Sequence, residues 1–135
     1  MKSRRLIDTT VHGLLESFDL KAEHPGGPNN NHSISFSNWQ WRPLVNLCRR
    51  VSAIEVLDID FSGWHYNDGE RVDDDTSKSL ARSLRKYSHR FISNGRLCLV
   101  PKSVPEKQRN LYSLEVSDLE TFITFLETCE GFSIW

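Results

Sequence analysis

With 17 Lys or Arg against 18 Asp or Glu in 135 residues, the chain has a formal charge of -1 and the length of one ordinary domain. That balance supplies no global field toward nucleic acid or an anionic membrane. Its apolar runs fall far short of the ~20 residues needed to cross a bilayer, so a single cytoplasmic domain over 1–135 is expected.

The chain begins with a basic stretch and then "LIDTTVHGLLESF", where Asp8, His12 and Glu16 interrupt any signal-peptide core. Leu6, Val11, Leu14, Leu15 and Phe18 give partial helical spacing, which predicts a short amphipathic helix. From 21 to 32, "KAEHPGGPNNNH" supports neither helix nor strand and reads as a flexible loop. "SISFS" then alternates Ile34 and Phe36 against serines, the period of a half-buried strand.

Pro43 suits the first turn of a helix, and Leu44, Val45, Leu47, Cys48 and Val51 form one apolar face, so a helix is expected over 43–52. "IEVLDIDFSGW" keeps no clean phase and is left as strand or irregular. From Asp75 onward, Leu80, Ala81, Leu84, Tyr87, Phe91 and Ile92 predict a helix of about 16 to 18 residues, stopped by Asn94 or Gly95 in a left-handed cap. "RLCLV" at 96–100 reads as a strand and "PKSVPEKQRN" as a charged loop. Ser117 and Glu120 have the spacing of a capping box before a last helix buried through Leu119, Phe122, Ile123, Leu126 and Cys129. Gly131 ends that helix, and "FSIW" closes as a strand. The expected fold class is α+β: a helix-rich single domain with about three main helices and a few short strands.

Three cysteines, Cys48, Cys98 and Cys129, form no close pair and leave one over. They suit a reducing compartment and are expected as small buried hydrophobes.

Two segments carry the candidate chemistry. In "FSNWQWRPL", Trp39 and Trp41 would share one side of an extended segment and form a stacking surface, with Arg42 adding cation–π contact or binding a carboxylate. In "WHYNDGERVDDD", His65, Tyr66, Asn67 and Asp68 precede Gly69 in a strong turn signal. Asp73, Asp74 and Asp75 stand where a helix start wants a cap and negative charge. The acids do not follow EF-hand spacing, and HExxH, CxxC and GxSxG motifs are missing, so neither metal nor cofactor is expected. Arg42 is expected to pair with Asp68.

Taken as a set, "FSNWQWRPL", "HYNDG" and "FLETCEGFSIW" resemble a pattern in small bacterial and phage-associated proteins of unknown function. The resemblance implies one compact domain and names no substrate. The leading expectation is a small soluble module that binds a protein partner, as immunity proteins do, through Trp39, Trp41, Arg42, His65, Tyr66, Asn67 and Asp68. One alternative is a hydrolase or metal-assisted enzyme using His65 and Asp68. Another is nucleic-acid binding through Lys78, Arg82, Arg85, Lys86 and His89, which lie along one helix face, with Arg90 next to it.

Overall fold

The computed structural model describes residues 17–23, 33–99, 105–109 and 111–135. Within them the chain is mixed α+β, with two small antiparallel sheets and three long helices. No helix among the described residues is long and apolar enough to cross a membrane.

The larger sheet contains β1 (Ser17–Ala22), β2 (Ser33–Ser37), β3 (Glu70–Val72) and β7 (Phe132–Ile134), in the order β2-β1-β7-β3. Its register sets Phe18 opposite Phe36, Leu20 opposite both Ile34 and Ile134, and Val72 opposite Phe132. Side chains alternate across a strand, so these apolar residues share one face and Asp19, Lys21, Ser35 and Ser133 share the other. Asp19 accepts a 2.6 Å hydrogen bond from Ser35 on that polar face. Phe18 therefore belongs to a strand and not to the expected N-terminal helix, because its neighbours alternate in burial with a period of two. The rest of that expected helix, and positions 24–32 of the expected loop, lie outside the described residues.

α1 (Asn38–Glu55) follows β2 directly and starts five residues before the position expected from Pro43. Ser37 is the cause. Its Oγ accepts from the Gln40 N–H at 3.3 Å, while Gln40 Oε1 accepts from the Ser37 N–H at 2.9 Å, a reciprocal capping box. Pro43 falls inside the helix, where it offers no N–H to the carbonyl of Trp39. "IEVLDIDFSGW" splits: Ile54 and Glu55 finish α1, Val56 caps it in the left-handed conformation, and Ser62–His65 form a 3-10 turn.

α2 (Asp74–Tyr87) begins as expected, with Asp73 Oδ1 accepting from the Thr76 N–H at 2.7 Å. It passes into a second 3-10 turn, Ser88–Phe91, and then β4 (Ile92–Ser93). Asn94 and Gly95 are not a helix cap. Both have positive φ, 54° and 74°, and they join β4 to β5 (Arg96–Leu97) as a two-residue hairpin turn. β6 (Leu114–Glu115) completes this second sheet.

A four-residue helix, α3 (Glu106–Arg109), interrupts the expected charged loop, of which 101–104 and 110 lie outside the described residues, as does position 100 of the expected strand before it. α4 (Val116–Thr128) starts too early for the expected Ser117–Glu120 box: Glu115 is its N-cap and makes no side-chain cap bond. Ser117 is already inside the helix, where its carbonyl accepts from Thr121 Oγ1 at 3.1 Å.

α1 and α4 deliver aromatic rings to the inner sheet face, and α2 packs against both helices. Trp41 sits at the centre, fully buried, stacked on Phe18 at 5.4 Å and on Trp64 at 6.0 Å, with Phe122 edge-on at 6.2 Å. Its indole N–H is satisfied by the carbonyl of Trp64 at 2.7 Å, as a buried indole requires. Cys48 and Cys129 are buried, whereas Cys98, just after buried Leu97, alternates outward and is exposed.

Candidate functional site

The early start of α1 decides what its side chains can do. Trp39 and Trp41 lie on a helix, so they diverge by about 200° instead of sharing a side. The expected paired-indole surface is therefore replaced: Trp41 is core, and only Trp39 remains on the outer face, half-buried.

Spacings of three, four and three place Trp39, Arg42, Asn46 and Arg49 along one stripe of α1. Trp39 packs on Tyr112 with ring centroids 4.5 Å apart. The exposed Arg42 guanidinium lies 5.6 Å from the same Tyr112 ring, within cation–π range. Asn46 donates from Nδ2 to the Leu99 carbonyl at 3.0 Å, tying the stripe to the segment after β5. Arg49 Nη2 stands 3.2 Å from His65 Nε2. A guanidinium only donates, so this contact makes Nε2 the acceptor and the imidazole neutral, with its proton on Nδ1.

His65 agrees with that assignment. Partial burial pushes its pKa below the ordinary value, and the positive charges of Arg49 and Arg42 push it further the same way. Asp60 accepts at 2.9 Å from the Ser62 N–H at the start of the turn that carries His65. That bond is the main reason its carboxyl is held low, and Arg49 adds a smaller share.

Of the remaining expected site residues, Tyr66 is 48% exposed, and Asn67 and Asp68 are partly buried. Asn67 makes a long, 3.5 Å contact with the Ser17 carbonyl. Gly69 has a φ of 96° and donates its N–H to the Ile134 carbonyl at 2.7 Å, and a Cβ placed there would meet the Trp135 ring at 2.9 Å. The Asn-Asp-Gly turn thus fastens the chain onto β7. No ion pair among the described residues joins Arg42 to Asp68, and Arg42 lies over Tyr112 instead.

The acidic run serves the start of α2. Asp73 caps, Asp74 pairs with Lys78 at 2.9 Å, and a hollow of about 410 Å³ opens beside Glu23, Arg71, Asp74 and Glu130. Among the described residues no group of three or more His, Cys, Asp or Glu is arranged to hold a metal ion.

Most of the expected basic stripe of α2 is engaged internally. Arg85 meets Glu127 through two bonds, of 2.6 and 2.9 Å, and reaches Glu120 at 3.3 Å. Lys86 and Arg90 lie 5.3 and 4.9 Å from the Tyr87 ring centroid, and Arg82 donates to Ser79 at 3.1 Å.

Two members of the α1 surface were not singled out from the sequence. Arg49 follows Arg42 by seven residues, a legible signal once both sit on one helix. Tyr112 is far away in the chain and carried none. Comparison with protein-family models, curated proteins and solved structures finds no match.

Proposed function

We propose that the protein is a binding module, immunity-like in kind, which engages a protein partner through the outer stripe of α1. The observation that carries this reading is that half-buried Trp39 and exposed Arg42 are both held on the buried Tyr112 ring. Trp, Tyr and Arg dominate the energetics of protein interfaces, and side chains already held in place lose little freedom on binding. The opposite side of the same helix is anchored by buried Trp41, which makes the cluster a rigid platform.

Less supports the alternatives. His65 faces a guanidinium that disfavours its protonated form, a poor setting for a histidine that must accept a proton from substrate. On α2, Lys78 and Arg85 already have carboxylate partners within the chain, which weakens the case for a phosphate-binding stripe.

The test is selection from a random peptide library on the immobilised chain, followed by titration against variants. Selected binders should weaken by about tenfold or more on the Trp39→Ala/Arg42→Ala double variant and bind Arg82→Ala unchanged. Binders indifferent to the double variant would overturn the reading.

A further inference from the structure

Resting on that reading, we infer that the partner's contact segment is acidic, with Arg42 and Arg49 each receiving one of its carboxylates. The ion pairs among the described residues consume Arg71, Lys78 and Arg85, but neither Arg42 nor Arg49. Arg42 is held by the Tyr112 ring and Arg49 by the His65 imidazole, and neither contact neutralises a guanidinium. Both side chains are therefore positioned yet keep their charge, and their remaining N–H donors suit a carboxylate.

Spacing narrows the occupant. Seven helical residues separate the two arginines by about 10 Å along the axis. Acidic side chains three residues apart on a polyproline II segment return to the same side and span about 9 Å, at ~3.1 Å per residue. Half-buried Trp39, backed by the buried Tyr112 ring and one turn before Arg42, offers an apolar contact at one end of such a segment.

A nucleic-acid backbone fits less well. Exposed Asp58 and Asp60 follow α1, and Asp60 is within electrostatic reach of Arg49, so a continuous polyanion running past Arg49 meets like charge. A short peptide can end before that point.

The experiment is a fluorescence-anisotropy titration of the full chain with a labelled short peptide carrying two glutamates three residues apart, repeated with a short DNA duplex. Arg42→Glu/Arg49→Glu should weaken the peptide by about tenfold or more, while Arg82→Glu leaves it unchanged. Circular dichroism checks the fold, and Arg42→Gln/Arg49→Gln substitutes if charge reversal disturbs it. Unchanged affinity in the charge variants, or a duplex that binds tighter than the peptide at the same arginines, overturns the inference. If library-selected binders need Trp39 but tolerate Arg42→Glu/Arg49→Glu, the acidic partner is wrong while the binding module stands. If they ignore both, the module itself is wrong.

Discussion

α1 and α2 both present cations at helical spacing, and they differ in what the fold sets opposite them. α2 packs beside α4, which brings Glu120 and Glu127 to Arg85, while its own Asp74 takes Lys78 one turn on. The outer stripe of α1 looks onto Tyr112 and His65, which hold Arg42 and Arg49 without cancelling them. A run of basic residues in a sequence therefore says little until the neighbour across the surface is known. On α2 the charges of Lys78 and Arg85 are part of the architecture, and on α1 those of Arg42 and Arg49 are left for use.

The comparison depends on α1 being fixed in rotation, and Trp41 does that. Trp41→Ala removes a fully buried ring whose N–H bonds the Trp64 carbonyl, and it should cost about 3–5 kcal/mol in urea unfolding. Trp39→Ala, on the half-buried outer side, should cost much less. Equal losses would mean that both indoles are core and that the outer stripe is misassigned.

Much of this architecture was readable in the residues, because it rests on local chemistry. "SISFS" alternates with a period of two and is β2, the "DDD" run before an amphipathic pattern marks the start of α2, and "FSIW" becomes β7. The misreadings arose where two local signals competed. Pro43 suits a helix start, but the Ser37–Gln40 capping box puts the start five residues earlier, at Asn38, and prevails. Asn94-Gly95 suits a helix cap, but Asn-Gly is equally the signal of a two-residue hairpin, and the hairpin is what forms. Most of the candidate surface is out of the sequence's reach. Trp39 and Arg42 could be singled out as aromatic and cationic, but only the fold brings Tyr112 beneath both and His65 beside Arg49.

The two helices also end differently, and this gives a smaller effect of opposite sign. α2 runs on into a 3-10 turn with Ser88 still right-handed, whereas α1 stops at Val56 with φ 56° and ψ 44°. A β-branched residue in the left-handed region pays about 1–2 kcal/mol, and Val56 is 87% exposed, with little packing to offset it. Val56→Gly should relieve that strain, less the greater freedom glycine regains on unfolding, for a net gain of about 1 kcal/mol and a higher Tm in calorimetry. A lower Tm would show that the Val56 side chain makes a contact worth more than its strain.

The finest probe of the contrast is His65, which reads the uncancelled charge on α1 directly. Its folded pKa lies below the ordinary 6.5, through burial first and then Arg49 and Arg42. Below about pH 6.5 the unfolded chain then binds more protons at this position than the folded one. The stabilising contribution is complete above the unfolded pKa and is lost as pH falls from there through the lowered folded value. Arg49→Gln removes one of the two cations, so the His65 titration followed by NMR should move up toward 6.5 without reaching it, because burial remains. The stability loss on acidification should shrink with it. Arg85→Gln, which removes a cation that is not among those acting on His65, should leave the titration in place. A His65 that titrates alike in the wild type and in Arg49→Gln would mean that the Arg49 charge does not reach the imidazole, and the contact that holds Arg49 on the outer stripe of α1 would be lost.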